Sequence, residues 1–208
     1  MTKALLLIFD PAGTWEKIFR AQRSLVYIFA TFLLPWILLS SAFEAYGLVH
    51  WGKWQQEAIR PKMFNHGEAV IYELIQISLT LLVVFLSAKL IKSLGETFHG
   101  RHTYTQAFTA VAYGLGPLFL FRLLDAFREV HPAITFSIGI LLSIGTLYHG
   151  LPRIMMPDPP HAFGLFLMGS ILLALSMGLA RFVTAWYLEG RFTALESFIS
   201  NVGARLPF

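Results

Sequence analysis

Glu73, Arg122, Asp125 and Arg181 are ionisable residues inside stretches that are otherwise apolar. A charge in hydrocarbon is costly, so each must meet a partner, water or the membrane surface. Glu73 could act as a proton or cation site, or it could sit paired or neutral near a helix start. The second reading is favoured, because the apolar run that contains Glu73 has loose bounds. Arg122 and Asp125 are three positions apart and share one helix face. Pairing with each other, or snorkelling of the arginine to the interface, accounts for both. Arg181 follows Gly178 and has no acidic neighbour within one helical turn. One hypothesis is that it pairs across helices with Glu73 or Asp125.

A different chemistry is suggested by Tyr113-Gly114-Leu115-Gly116-Pro117. Pro117 cannot donate to the carbonyl of Tyr113, and the flanking glycines let a helix bend or unwind there. Broken helices line substrate sites in some transporters. Most such breaks are structural, and that reading is the favoured one here. Among the seven histidines, His99 and His102 are near neighbours, while His149 and His161 flank Met155 and Met156. Imidazole and thioether would suit copper. No recognised ligand spacing is present, so no metal and no cofactor are expected. No nucleophile elbow, phosphate-binding loop or dinucleotide fingerprint appears, and no nucleophile is paired with a base, so no catalytic residue is assigned and no enzyme is expected.

The elements that must carry these residues follow from composition. Of the 208 residues, 56% are hydrophobic and 13% charged, and the net charge is +4. A soluble domain is roughly a quarter charged and could not hide so much apolar surface. With no cysteine, disulfides and thiolate metal sites are excluded. The basic residues near the chain start read as membrane-surface anchors rather than a nucleic-acid footprint.

The fold class is all-α: a bundle of five transmembrane helices with amphipathic interfacial helices at both ends. Spans are expected at about 24–43, 69–91, 105–127, 132–149 and 162–187, within a membrane domain covering 24–190. Pro35 should kink the first span. Asn65 with Glu68, and Thr103 with Gln106, have capping-box spacing, and Pro132 suits a first helical turn. The run Leu5-Leu6-Leu7-Ile8-Phe9 is short and ends at Asp10-Pro11 without a small-residue cleavage site, so it is read as retained. In residues 1–23, Asp10 can cap a helix that starts at Pro11, with Trp15, Ile18 and Phe19 on one face, the pattern of a helix lying on a membrane. In 191–208, Thr193 and Glu196 have capping-box spacing, and Leu195, Phe198, Ile199 and Val202 form a stripe. Tyr46, Trp51 and Trp54 read as an aromatic belt. Ser170, Ala174 and Gly178, and likewise Gly139 and Ser143, recur every four residues, the close-packing pattern of membrane helices. The same faces could serve a homodimer. Lys3, Lys17, Arg20 and Arg23 precede the first span and favour a cytoplasmic N-terminus, with the C-terminus on the other side.

Asp10-Pro11 with Trp15, then Gly95, Phe98, Gly100, Thr103, Tyr104 and Gln106, then Tyr113 and Pro117, then Tyr148, Gly150 and Leu151, then Pro159 to Ala162, resemble in order and spacing the Yip family of multi-spanning membrane proteins, particularly its bacterial branch. The resemblance covers about residues 9–190. It implies five spans, a cytoplasmic N-terminus and residence in the cell (inner) membrane. Eukaryotic members are linked to vesicle traffic, Rab-type GTPases and membrane shaping, and can self-associate. Their long acidic N-terminal region and its glycine-proline motif are not found in this sequence, so the GTPase partnership is not carried over. The expected role is a non-enzymatic protein that organises membrane or protein partners. Its expected partners are the lipid bilayer and a homo-oligomer or another membrane protein, and no nucleic acid. The alternative is a small transporter or channel with a polar path near Glu73, Pro117 and Arg181.

Overall fold

The computed structural model describes residues 2–53, 61–98, 100, 102–188, 191–192, 197–199 and 201. Five of its helical segments are long and apolar enough to cross a bilayer: Leu25–His50, His66–Thr97, Tyr104–Ala126, Pro132–Met155 and Pro159–Leu188. The chain is an all-α, multi-pass membrane protein. Leucines such as Leu82, Leu86, Leu141, Leu175 and Leu179 point outward, the surface a bilayer would cover. The third span is the most enclosed, and its residues 107–119 are buried throughout.

Two helices precede the first span, α1 (Thr2–Phe9) and α2 (Pro11–Ala21). Asp10 links them. Its carboxylate accepts from the Gly13 N–H at 3.0 Å, and Pro11 fills the first turn, where no donor is needed. The helix expected from Pro11 onward is present as α2, and its apolar face packs on protein. Thr14, Trp15 and Ile18 are buried against the fourth span. Helix α1 had no counterpart in the sequence reading. It packs Ala4 and Leu7 against the third span.

The first span is built from α3 (Leu25–Ile28), a π-helical turn (Phe29–Leu33) and α4 (Leu34–His50). The π turn ends two residues before Pro35 and takes up the register change that the missing proline N–H would force. The span continues seven residues beyond Phe43, where its apolar run was expected to stop. Helix α5 (His66–Thr97) begins with the Asn65–Glu68 capping box. The third span is α6 (Tyr104–Gly114), α7 (Gly116–Phe121) and a 3₁₀ turn (Arg122–Ala126), with a break at Leu115. Helix α8 (Pro132–Met155) runs on past His149 with Pro152 inside it, and α9 (Ala162–Leu188) follows a 3₁₀ turn at Pro159–His161.

The break at Leu115 frees backbone groups in a medium without water, and α8 supplies their partners. The Leu118 N–H donates to Ser143 Oγ at 3.3 Å, and the Thr146 hydroxyl lies 3.5 Å from the Gly114 carbonyl oxygen. A Cβ on Gly139 would come within 3.0 Å of the Leu118 Cα, so this small residue sets how closely α8 approaches α7. Trp54 and the proposed Thr193–Glu196 cap lie outside the described residues. Of the C-terminal stripe, Ile199 is buried with Tyr72, Tyr187 and Leu188, and Phe198 is exposed.

Candidate functional site

A cluster of charges occupies the bundle interior near the ends of the first, third and fifth spans and the starts of the second and fourth. Glu44 is its centre and is 0% exposed. Ser40, Ser41, Glu44, Gly47 and Leu48 form the buried face of α4. Glycine is required at 47, because a Cβ there would fall inside the Ala126 carbonyl. That close approach lays the 3₁₀ turn against α4 and carries Arg122 and Asp125 to Glu44.

The contacts are mutual. Arg122 Nη2 donates to Glu44 Oε2 at 3.2 Å. Arg181 Nη1 donates to Glu44 Oε1 at 3.4 Å and to Gln76 Oε1 at 3.2 Å. Its Nη2 pairs with Asp125 Oδ2. Asp125 Oδ1 accepts from the Thr135 hydroxyl at 2.5 Å. The Gln76 amide donates to Glu44 Oε2 at 2.7 Å and to Glu73 Oε2 at 3.3 Å, and the Tyr72 hydroxyl donates to Gln76 Oε1 at 2.9 Å. All five spans therefore contribute: Glu44; Tyr72, Glu73 and Gln76; Arg122 and Asp125; Thr135; and Arg181. Burying ions is repaid only when geometry and extra hydrogen bonds satisfy them, and Gln76 provides those bonds at the crossing point.

All four intramembrane ionisable residues picked out from the sequence are brought together here. Of the two partners considered for Arg181, Asp125 is the one it touches. Glu73 lies inside the bundle at 5% exposure, about two turns from the start of α5. Arg122 and Asp125 share a face but turn to different partners, and neither snorkels. Three carboxylates face two guanidinium groups, and Glu73 Oε1 has no partner among the described residues.

A cavity of about 30 Å3, lined by Gln76, Thr80, Arg122 and Arg181 among others, touches the cluster and has room for a water or two. It reaches neither Glu73 nor Pro117. On the near side, Lys53 Nζ donates to the Phe127 carbonyl at 2.9 Å. Burial pushes its pKa below the ordinary lysine value, against the pull of nearby Glu44 and Asp125.

Two of the remaining landmarks, Tyr113 and Gly150, pack on Trp15. Its indole N–H donates to the Thr146 carbonyl at 2.8 Å, and its ring fills the space left by Gly150, where a Cβ would collide with the indole. Tyr113 meets Trp15 edge-on at 6.5 Å and packs on Phe32 at 4.3 Å. Lys3 Nζ donates to the Tyr113 hydroxyl at 3.4 Å. Gln106 accepts from the Thr103 N–H at 2.7 Å and closes the cap of α6. The Gly100 N–H donates to the Gly95 carbonyl at 2.9 Å, making the turn in which His102 reaches the Lys92 carbonyl at 2.9 Å. Tyr148 is exposed and packs on Phe166. No group of three His, Cys, Asp or Glu is gathered as for a metal among the described residues.

The sequence reading passed over Glu44, Gln76, Tyr72 and Thr135. Glu44 had a legible signal. Ser40, Ser41, Glu44 and Gly47 recur at spacings of three and four, a polar and small-residue stripe that continues the first span beyond Phe43.

Among known proteins, the family model described as the Yip1 domain matches residues 5–184. No curated protein and no solved structure matches the chain.

Proposed function

This chain belongs to the Yip1 domain family, and on that footing we propose that it is a non-enzymatic membrane protein that organises membrane or protein partners. The observation that carries this reading is that the intramembrane charges turn to one another. Glu44, Gln76, Arg122, Asp125 and Arg181 are joined in one network of contacts, and the cavity beside them is about 30 Å3. A transport path would need a wetted route through the bundle that exposes these groups to both sides. In this reading the cluster is a clasp that holds five spans in one arrangement and leaves their outer faces for lipid and for neighbouring proteins. The basic residues Lys3, Lys17, Arg20 and Arg23 support a reading in which the N-terminal helices face the cytoplasmic side of a cell membrane.

Reconstitution into liposomes tests the proposal. The purified chain should pass protons, sodium or potassium no faster than empty vesicles do. In mild detergent it should co-purify with another membrane protein, or with itself, in near-stoichiometric amounts. Ion flux well above empty vesicles that Glu73→Gln abolishes would overturn the reading in favour of a small transporter.

A further inference from the structure

A second cavity lies far from the charge cluster. It is a crevice of about 260 Å3 between the end of α2, the start of α6 and the end of α8. Its floor is apolar, with Ile18 and Ile154, and its rim carries Gln22, Arg23, Thr105 and Gln106. No carboxylate lines it. The first span starts at Leu25 and the third at Tyr104, so the crevice opens where hydrocarbon gives way to water.

From this geometry we infer that the crevice binds the phosphate-bearing headgroup of an anionic phospholipid. Arg23 supplies the charge. Its guanidinium stacks over the Tyr27 ring at 4.8 Å and makes no ion pair among the described residues. The exposed cations nearby are differently placed: Arg20 and Arg153 both pair with Glu16. The Oε1 atom of Gln106 is taken up by the cap of α6, which leaves its amide hydrogens to donate. Thr103 and Thr105 at the start of α6 line the crevice, and a helix N-terminus favours an anion.

An anion entering the crevice gains charge-assisted hydrogen bonds from Arg23 beside the Gln106 amide. The apolar floor suits the glycerol end of a lipid and gives a free phosphate nothing to bury.

The crevice shares no lining residue with the clasp described above, so this binding stands or falls separately from that reading. The test is native mass spectrometry of the full-length chain released from vesicles of phosphatidylglycerol and phosphatidylcholine. Phosphatidylglycerol should stay bound at energies that strip phosphatidylcholine. Arg23→Gln should lower that selectivity about fivefold, the worth of one basic residue at an anionic surface, while Arg23→Lys and Arg20→Gln keep it. Arg23 is exposed, and lipid-free melting of each variant shows whether the fold is intact. Equal retention of the two lipids, or unchanged selectivity in folded Arg23→Gln, overturns the inference. Inorganic phosphate raising the melting temperature as much as phosphatidylglycerol, and losing that effect in Arg23→Gln, assigns the crevice to a soluble anion and overturns the lipid assignment.

Discussion

Glu44 and Arg181 lie 137 positions apart in the chain and meet at 3.4 Å inside the bundle. The same carboxylate accepts from Arg122 through its other oxygen at 3.2 Å. Glu44→Gln removes an acceptor that two enclosed guanidinium groups share. Breaking one partner out of a buried ion pair costs about 3–5 kcal/mol. A loss of that size should appear as a large drop in melting temperature in detergent. A melting temperature within a degree or two of the wild type would show that Glu44 does not clasp the spans.

Glu73→Gln should behave differently, although it is the same exchange of side chains. Glu73 accepts one bond at 3.3 Å from Gln76, and its other oxygen has no partner among the described residues. With three carboxylates against two guanidinium groups, it is the acid the cluster can spare. Its neutralisation should change stability by less than about 1 kcal/mol. Measured side by side, the two variants separate a carboxylate held by two guanidinium groups from one held only by an amide, and equal losses would refute the distinction.

Trp15→Ala should cost about 3–5 kcal/mol, the range for truncating an enclosed tryptophan. Gly150→Val should evict the same ring from the other side. In both variants α2 should leave the bundle. Limited trypsin digestion would then cut at Lys17 and Arg20 faster than in the wild type. Unchanged digestion in Gly150→Val would mean that Trp15 does not depend on that gap.

Lys53 gives a pH dependence of definite sign. Because burial lowers its pKa in the folded chain, the unfolded chain binds more protons just below the ordinary lysine value. Stability therefore rises with pH across that window and levels off above it. Lys53→Met should flatten the rise. Melting temperatures in detergent from neutral pH to about 10.4, the free lysine value, provide the check. A wild-type stability that falls across this window would contradict the buried ammonium.

The architecture was largely written in hydropathy, because a medium without water admits few alternatives to apolar helices. Asp10-Pro11, Asn65–Glu68 and Thr103–Gln106 marked helix starts through local hydrogen bonds that need only their own neighbourhood. The site was legible in part. Glu73, Arg122, Asp125 and Arg181 stood out because charge inside an apolar run is costly wherever it points. Glu44 did not, because the first span was ended one residue short of it. Gln76, Tyr72 and Thr135 carry no charge, and their importance comes from partners on other spans. The depth of Trp15 was hidden for the same reason: amphipathic spacing shows which side of α2 is apolar, and only Gly150 on α8 shows that the side is received by protein rather than by lipid.

The clasp also imposes an order on biogenesis. Chains are made from the N-terminus, so Glu44, Gln76, Arg122 and Asp125 enter the membrane before Arg181 does. Until the fifth span arrives, Asp125 lacks the guanidinium it holds in the finished protein. A nascent chain halted after α8 therefore carries a raw acidic spot within the bilayer, the sort of lesion a membrane protease can recognise. Arrival of Arg181 closes it, so the last charge inserted reports that every earlier span has taken its place.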